Sequence, residues 1–350
     1  MAKVRLGFVG VGGMGQTAHL RNYVTLEDCE VVALAELRAA TARLVAERYG
    51  VPKVYPDHRA MLAAEQLDGV VASQPFDRHA VLFPEIYPKV KCLFSEKPLA
   101  ISVAAGEKLV AAARSAGCTH MVGYHKRSDP ATIHAKRTIE EWKSDKKLGR
   151  MRYVRILMPA GDWVAAGFTG LLNAGDRPPP LGSEPPAADM DEATRKEYVS
   201  FVNYYIHQVN LMRLLLGEAY RVAYAEHSGV VMAVESASGV AGVIEMTPYR
   251  TTRAWDEEAL VAFEKGYVKL KLPAPLAVNR PGAVEIYRDP GDGATPERSE
   301  PTLPWVHAMR QQAINFVKVC KGELAPPCDA AEALEDLKVA REYVRLRWGR

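Results

Sequence analysis

A cluster of glycines near the N-terminus is the first group of residues whose types and spacing suggest chemistry. The apolar run Val4–Val9 leads into Gly10-Val11-Gly12-Gly13-Met14-Gly15, which fits the pattern G-x-G-x-x-G. One glycine of this pattern makes a tight turn, a second lets the backbone approach a pyrophosphate, and a third allows close packing of helix on strand. A helix starting there offers free N–H groups and its positive dipole end to phosphates. The spacing predicts a phosphate-binding loop formed by Gly10, Gly12, Gly13, Met14 and Gly15, although a purely structural glycine turn would look the same.

An acid follows this loop at the distance expected for contact with an adenosine ribose. Glu36 ends the second apolar run, about 20 residues after the glycines, where a carboxylate can hydrogen-bond the ribose hydroxyls. The same carboxylate would repel the 2′-phosphate of NADP. Arg38 could instead stack on the adenine or contact such a phosphate. The sequence therefore predicts NAD as the preferred cofactor and NADP as the alternative.

The elements that must position these residues alternate between β-prone and helical stretches as far as about Gly123. Such alternation predicts a parallel sheet covered by helices on both faces. The candidate strands are Val4–Val9, Glu30–Ala35, Gly69–Ser73, Lys91–Ser95 and Thr119–Val122. The candidate helices are Met14–Val24, Arg38–Tyr49, Asp57–Ala64, Arg78–Tyr87 and Val103–Ala116, with a further one from Pro130 to about Lys143.

The pattern changes after Gly149. A strand over Arg152–Met158 precedes a long segment, Pro159 to about Asp191, whose RPPP and EPP runs are incompatible with regular structure. A helix over Val202–Leu216 ends at the C-cap residue Gly217. β-prone runs between Ala219 and Tyr287 then predict a sheet, and two helices, about Leu303–Lys321 and Ala330–Arg345, close the chain.

These patterns predict two domains. Residues 1–125 form an α/β Rossmann domain with a doubly wound parallel sheet. Residues 126–350 form an α+β domain with an open, mostly antiparallel sheet, which we expect to bind substrate and to carry oligomerisation. The closing helices could pack back on the Rossmann domain.

The ends of three later strands complete a wider motif. They read Ser73-Gln74-Pro75 with His79 shortly after, Glu96-Lys97-Pro98, and Gly123 to Pro130. With the glycine loop, they resemble in order and spacing the glucose–fructose oxidoreductase/inositol dehydrogenase (Gfo/Idh/MocA) family over essentially the whole chain. The resemblance implies that Lys97 is the active-site lysine, and that Pro98 is the proline of an often-cis Glu-Lys peptide that aims it. It also implies that the cofactor groove is lined by Ser73, Gln74, Pro75, His79, Glu96, Lys97 and Pro98.

The family's second catalytic element, D-x-x-x-H followed by another acid, is altered in this chain. The segment reads Asn203-Tyr204-Tyr205-Ile206-His207-Gln208-Val209-Asn210, so His207 is kept while both acids are asparagines. The i, i+4 spacing predicts that Asn203 and His207 share a helix face. Because asparagine cannot accept a proton, general-base work would fall to His207, assisted by Lys97. A histidine satisfied within the core is the alternative.

Five residues are candidates for contact with the substrate: Asn203, Asn210, His125, Tyr204 and Trp163. His125 replaces an asparagine that is common in the family and could face the nicotinamide or be structural. Trp163 opens the long segment and could close over a sugar ring or simply pack.

The composition excludes several other classes of protein. The net charge of +3 is small, and the basic stretch from Lys143 to Arg155 is typical of a solvated surface, so we expect no nucleic-acid partner. No apolar run reaches the roughly 18 residues that span a bilayer, and the N-terminal run alternates like a strand rather than a signal peptide. The five scattered cysteines fit reduced thiols in the cytoplasm and predict no metal site.

The function predicted from the sequence is hydride transfer between NAD(P) and a secondary alcohol or ketone of a sugar, cyclitol or sugar derivative. A redox-assisted lyase, epimerase or glycosidase with tightly bound, recycled NAD is one alternative. A non-catalytic dinucleotide-binding regulatory protein is another. We expect a homo-oligomer, a dimer or tetramer, formed through the exposed face of the C-terminal sheet.

Overall fold

The computed structural model describes residues 2–185 and 190–349, and its contacts divide the chain into two compact units. The first unit contains Met1–Tyr124, Ala166–Asp191 and Met309–Leu337, and the second contains His125–Ala165, Glu192–Ala308 and Lys338–Arg350. The sequence predicts one boundary, after residue 125, whereas in the structure two later segments also belong to the first unit. The second of these segments belongs there because Ala313, Phe316 and Val317 form part of that unit's core.

The first unit is built on a parallel sheet of six strands. They are β1 Val4–Val9, β2 Cys29–Ala35, β3 Lys53–Tyr55, β4 Gly69–Ala72, β5 Cys92–Ser95 and β6 Thr119–Val122. The order β3-β2-β1-β4-β5-β6 reverses direction at β1, as in a doubly wound fold. The predicted Rossmann sheet is confirmed. The three-residue edge strand β3 was not expected from the sequence.

Helices connect these strands, and two of them begin at side-chain caps. They are α1 Arg21–Tyr23, preceded by a wide helical turn over Gly15–Leu20, α2 Ala39–Tyr49, α3 His58–Ala64, α4 His79–Ile86 and α5 Val103–Ser115. Asp57 accepts the N–H of Ala60 at the start of α3, and Ser102 caps α5 in the same way. Such caps satisfy N–H groups that have no partner inside the helix.

The second unit contains an eight-stranded sheet that is antiparallel except for one pair. Its strands are β7 Met151–Ala160, β8 Tyr220–Ala225, β9 Val231–Ser236, β10 Ala241–Arg250, β11 Glu257–Phe263, β12 Gly266–Leu272, β13 Ala283–Arg288 and β14 Glu297–Ser299. The order is β14-β13-β12-β11-β7-β10-β9-β8, and only β7 and β10 run parallel. The predicted open, mostly antiparallel sheet is confirmed. The short strand β14 was not expected.

The helices of the chain after β6 differ from the prediction at one point that matters for function. They are α6 Pro130–Asp145, α7 Glu192–Tyr204, α8 Ile206–Leu216, α9 Ala308–Cys320 and α10 Ala330–Trp348. The single helix predicted over Val202–Leu216 is wrong, because the helix is interrupted at Tyr205 and α7 extends back to Glu192. Asn203 and His207 therefore lie on different helices.

The long proline-rich segment is irregular where the structure describes it. The sequence predicts irregular chain from Pro159, but β7 extends to Ala160. Residues 161–185, 190 and 191 form turns, bends and chain without regular structure, as predicted. Residues 186–189, which include the second proline of the EPP run, lie outside the described residues. Among the helices that are described, none combines the length and apolar character needed to cross a membrane.

Candidate active site

The glycine loop after β1 has the geometry that a pyrophosphate site requires. Gly10 has φ +90°, and a Cβ there would overlap the Gln74 side chain. A Cβ on Gly15 would lie 2.6 Å from the carbonyl oxygen of Gly10, so both positions exclude a side chain. A Cβ on Gly12 would meet no atom within 4 Å, which leaves the backbone open to a ligand. This combination of crowding and open space fits a bound dinucleotide.

Glu36 closes the other side of this loop. It is 7% exposed, and its Oε2 accepts the backbone N–H of Val11 at 2.9 Å. Its oxygens also accept the backbone N–H of Arg38 (3.1 Å), Nε (2.9 Å) and Nη2 (2.9 Å). Burial alone would raise the pKa of Glu36, but these hydrogen bonds and the charge of Arg38 outweigh it and lower the pKa. Glu36 is thus an ionised acceptor beside the glycine loop, suited to ribose hydroxyls.

Three adjacent strands of the parallel sheet end in loops that carry predicted site residues. Gly10 follows β1, Ser73 follows β4, and Lys97 comes shortly after β5, and these strands are neighbours in the order β1-β4-β5. The N–H of Ser73 and Nε2 of Gln74 both donate to the carbonyl of Val9, at 3.0 and 3.1 Å. The predicted residues Ser73, Gln74 and Pro75 therefore lie against the glycine loop, at the edge where ligands of parallel sheets bind.

His79 lies behind these loops. It is fully buried, and its two ring nitrogens lie 3.1 Å from the carbonyl oxygen of Leu99 and 3.3 Å from that of Gln74. Burial lowers the pKa of His79 to about 4, so the imidazole is neutral at physiological pH. In this position His79 holds the Gln74 loop, and any effect on the cofactor would be through that loop.

Lys97 follows a buried carboxylate that is itself held in place. Nε2 of His19 lies 2.6 Å from Oε1 of Glu96, and Oε2 of Glu96 accepts the backbone N–H of Lys97 at 3.3 Å. Burial would raise the pKa of Glu96, but His19 and the charge of Lys97 outweigh it and lower the pKa. The cis peptide bond is Lys97–Pro98, one bond after the Glu-Lys peptide that the resemblance implied. No sequence pattern indicated the contact between His19 and Glu96, which are 77 positions apart.

Residues 166–185, which we call the strap, pack on loops of the first unit. Nε2 of Gln16 donates to the carbonyl of Leu172 and Oε1 of Gln16 accepts the N–H of Leu172, each at 3.0 Å. The Phe168 ring lies 3.2 Å from the position that a Cβ on Gly13 would take. The strap thus covers one side of the glycine loop.

Two carboxylates of the strap hold it at the starts of helices. Asp176 accepts the N–H of Ala40 at 2.8 Å and the hydroxyl of Thr41 at 2.5 Å, at the beginning of α2. Glu184 accepts the N–H of Ile101 at 3.0 Å and that of Ser102 at 2.9 Å, just before α5. No sequence pattern indicated either contact, because the partners are separated by more than 80 residues.

In the second unit, two of the predicted residues come together. The rings of His125 and His207 contact each other edge to face, with centroids 4.8 Å apart. His125 is buried, whereas His207 is half-buried and retains contact with solvent. The contact packs the two rings against each other and so helps to fix the orientation of the His207 imidazole.

The other predicted substrate residues of the second unit differ in environment. Asn203 is exposed on α7, while Asn210 is buried on α8 and accepts Nε of Arg127 at 2.5 Å. Tyr204 is half-buried, and burial raises the pKa of its phenol to about 12. Trp163 is 36% exposed. Asn210 is therefore a partner of Arg127, and Asn203, Tyr204 and Trp163 retain accessible surface.

A buried polar cluster of the second unit was not found by sequence reasoning. Lys126 forms an ion pair with Glu257, which is fully buried. Glu257 also accepts Nε2 of Gln208 at 2.7 Å and Nε1 of Trp255 at 3.1 Å. Glu257 comes directly before the apolar run EALVAF (258–263), but nothing in the sequence indicated its partner.

The arrangement of acids, histidines and cysteines offers no candidate metal centre within residues 2–185 and 190–349. The residues of the first unit instead fit the pyrophosphate and ribose of a nicotinamide dinucleotide. Gly12 gives the backbone room to approach phosphate oxygens, and Glu36 supplies an ionised acceptor for hydroxyl groups.

Comparisons with known proteins agree with this assignment. Residues 4–124 match the model of an oxidoreductase family with an NAD-binding Rossmann fold, Gfo/Idh/MocA. The myo-inositol 2-dehydrogenase of Thermotoga maritima is 22% identical over 279 residues, covering 76% of this chain and 74% of that protein. The oxidoreductase YrbE of Bacillus subtilis is 24% identical over 225 residues, covering 64% of this chain but only 57% of that protein.

The fold comparison extends over the whole chain. The crystal structure of an NAD-binding oxidoreductase from Klebsiella pneumoniae superimposes with a TM-score of 0.73 at 18% identity, covering 100% of this chain and 98% of the other. At this identity the match concerns the fold alone. The sequence match carries the assignment: the Rossmann unit of this chain, over residues 4–124, matches that of the Gfo/Idh/MocA oxidoreductases and binds NAD or NADP.

Proposed function

We propose that this oxidoreductase transfers a hydride between a nicotinamide dinucleotide and a secondary alcohol or ketone of a sugar, cyclitol or sugar derivative. The proposal depends above all on the row of loops that contain Gly10, Ser73 and Lys97 at the carboxyl ends of three neighbouring strands. That edge is where parallel sheets bind ligands. The name of the Thermotoga relative, myo-inositol 2-dehydrogenase, favours a cyclitol or sugar as substrate.

In this proposal the cofactor supplies or accepts the hydride, and the chain provides binding, orientation and proton transfer. The glycine loop and Glu36 bind the dinucleotide. Lys97 donates a hydrogen bond to the reacting oxygen and stabilises the alkoxide charge that develops on it. His207 removes the hydroxyl proton in the oxidative direction, a role that its half-buried imidazole and its contact with His125 support.

NAD is the proposed preferred cofactor. Glu36 is ionised and lies beside the glycine loop, where a carboxylate favours ribose hydroxyls over a 2′-phosphate. Arg38 could have favoured NADP, but its Nε and Nη2 groups are engaged with Glu36.

A second candidate function is a redox-assisted lyase, epimerase or glycosidase in which NAD is retained and regenerated. Two observations favour it. Asn203 and Asn210 stand where the family pattern has acids, and the strap covers one side of the glycine loop through Phe168 and Leu172. A covered loop would slow the exchange of the cofactor, as a recycled cofactor requires.

We also propose a homo-oligomer that uses the open face of the second unit's sheet. Along β9 and β11 every second residue is only half-buried, so one face of the sheet remains accessible. Replacing Leu260 on that face, Leu260→Lys, should shift the molecular mass measured by light scattering toward the monomer. An unchanged mass would place any interface elsewhere.

The test of function measures binding and turnover separately. Binding of NAD⁺ and NADP⁺ is followed by calorimetry, and turnover by the absorbance of reduced nicotinamide against a panel of sugars and cyclitols. Lys97→Ala and His207→Ala should each lower kcat by about 100-fold or more while NAD⁺ binding persists. Lys108→Ala, an exposed lysine on α5, is the matched control and should leave kcat unchanged.

The outcomes separate the candidates. Substrate consumption without net absorbance change, with NAD retained through purification, would replace the dehydrogenase by the redox-assisted enzyme. Cofactor binding without turnover of any panel compound, in a protein whose biological role survives Lys97→Ala, would favour a regulatory protein. Full activity in both variants would remove the roles proposed for Lys97 and His207.

A further inference from the structure

The strap places a second carboxylate next to the part of the Rossmann unit that follows Glu36. Asp176 accepts the N–H groups of Ala40 (2.8 Å) and Thr41 (3.3 Å) and the Thr41 hydroxyl (2.5 Å). These groups open α2, which begins at Ala39, three residues after Glu36 in the sequence. The hydrogen bond from Thr41 is the main cause that lowers the pKa of Asp176, so the side chain is ionised at neutral pH.

Arg38 interacts with both of these acids, Glu36 and Asp176. Its guanidinium donates to both oxygens of Glu36, and the charge of Asp176 adds to the effect of Glu36 in raising the pKa of Arg38. One cation therefore interacts with two carboxylates, so these three groups together carry a net charge of −1 (one positive and two negative charges). Arg177, next to Asp176, is exposed, where water and salt screen its charge.

We propose that Asp176 is a specificity-determining residue that, together with Glu36, excludes the 2′-phosphate of NADP from the adenosine end of the cofactor site. The inference rests on the proposed function, in which the chain binds a nicotinamide dinucleotide, and it gives a residue from a distant segment a role in that binding. Free N–H groups at a helix start are a common binding place for a phosphate. Asp176 occupies those of α2 and puts a negative charge in their place.

The physical argument has two parts. A 2′-phosphate attached to the ribose that Glu36 binds would have to approach the start of α2, where the N–H groups already have an acceptor. It would also bring about two negative charges toward two carboxylates, and like charges brought together in a partly desolvated interface oppose binding. NAD lacks this phosphate and avoids both effects.

The variant that tests the inference is Asp176→Asn. The asparagine oxygen can still accept the N–H of Ala40, so the strap keeps its attachment while the charge is removed. The matched control is Glu184→Gln, which alters the other strap carboxylate at Ser102. Both are measured as the full chain by calorimetry with NAD⁺, NADP⁺, 5′-AMP and 2′,5′-ADP, without substrate and without reference to activity.

In the unmodified protein, NAD⁺ should bind more tightly than NADP⁺, and 5′-AMP more tightly than 2′,5′-ADP. Asp176→Asn should strengthen binding of NADP⁺ and 2′,5′-ADP by about tenfold while the NAD⁺ affinity changes by less than about twofold. Glu184→Gln should leave these ratios unchanged. The preference of the unmodified protein should also shrink between about 0.1 and about 1 M salt, because the Debye length falls from about 10 to about 3 Å.

Two results would overturn the inference. One is an Asp176→Asn protein whose NADP⁺/NAD⁺ ratio equals that of the unmodified chain, and the other is an equal gain in NADP⁺ affinity in Glu184→Gln, which would indicate a loosened strap. Failure of the proposed function looks different, because the unmodified protein would then bind neither NAD⁺ nor NADP⁺. Binding of 5′-AMP with altered discrimination thus tests Asp176 independently of turnover.

Discussion

The glycine loop of the first unit and the buried polar cluster of the second unit are built by different means. The loop is defined by its backbone: side chains are excluded at Gly10 and Gly15, and Gly12 is left open. The cluster is defined by side chains, in which Lys126 and Glu257 pair inside the protein and Gln208 adds a hydrogen bond.

The glycine loop and the polar cluster should respond differently to substitution. A backbone-defined site fails when any Cβ is added at the wrong place, whatever its chemistry. A cluster of buried charges fails when its balance is broken, because a lone charge in a protein interior is costly. We therefore expect substitutions in the cluster to lower the stability of the protein, and substitutions in the loop to weaken the binding of the dinucleotide.

The largest effect is expected from breaking the buried ion pair. Glu257→Ala removes the partner of Lys126 and should lower the free energy of unfolding by about 3–5 kcal/mol, because it leaves an uncompensated charge in the interior. Glu257→Gln, which keeps one of the two acceptor oxygens, should cost less. Urea unfolding of the full chain measures both.

A double-mutant cycle measures the coupling between Lys126 and Glu257. Lys126→Met combined with Glu257→Ala should recover part of the lost stability, since neither member of the pair is then left as an unpaired charge. If the double variant is as unstable as the sum of the single variants, the pair is not coupled and the cluster is ordinary polar packing.

The same difference explains how much of each region could be predicted from the sequence. A glycine pattern reports backbone geometry directly, so the loop, Glu36 and five strands of the parallel sheet could be predicted from nearby residues. The polar cluster joins Lys126 to a residue 131 positions away, and only the folded sheet brings Glu257 to it. Asp176, 135 residues from Thr41, is similarly invisible to local patterns.

The errors in the predicted elements also have local causes. The strands β3 and β14 have three residues each, too few for a periodic pattern, and pair along only one edge. The interruption at Tyr205 lies in a stretch without glycine or proline, and Tyr205 keeps helical backbone angles (φ −83°, ψ −5°). Composition could not indicate a helix break that requires so small a change in backbone angles.

The next effect concerns the pH dependence of stability, to which two buried histidines of the first unit and Asp129 of the second unit should contribute with opposite signs. His79 and His120 of the first unit have pKa values lowered by burial from 6.5 to about 4 and about 3, so their contribution is present above pH 6.5 and lost on acidification. For His79 alone the full contribution is about 3 kcal/mol. Asp129 of the second unit has a pKa raised by burial from 3.8 to about 6, so its contribution is present below pH 3.8 and lost as the pH rises.

Two variants isolate these contributions. Asp129→Asn, which can still cap α6 through Ala131, should make the loss of stability on acidification from pH 6 to pH 4 steeper, because the opposing term is gone. His79→Gln should make it shallower. Unfolding midpoints in urea across this range measure both, and a shallower curve in Asp129→Asn would contradict the assignment of sign.

A smaller effect is expected from the open position of the loop. Gly12→Ala should leave the free energy of unfolding within about 0.5 kcal/mol, because its Cβ meets no protein atom within 4 Å. The same Cβ would intrude on the pyrophosphate, and NAD⁺ affinity should fall about 100-fold, or about 2.7 kcal/mol. Gly15→Ala is the contrasting variant and should lose stability, since its Cβ would lie 2.6 Å from the Gly10 carbonyl oxygen. Normal NAD⁺ binding by Gly12→Ala would place the phosphates elsewhere.

The smallest effect is expected at Asn203, where restoring the family's acid tests whether charge matters in the second unit. Because Asn203 is exposed, Asn203→Asp should change the free energy of unfolding by less than about 0.5 kcal/mol. If position 203 acts on the base proposed at His207, the new carboxylate should move the acid limb of the kcat/KM profile upward by less than about one pH unit, since solvent screens an exposed charge. Asn279→Asp, an exposed asparagine of the same unit, controls for general charge effects. A shift in Asn203→Asp alone would mean that the helix interruption at Tyr205 leaves the two positions in electrostatic contact, and equal profiles would mean that it separates them.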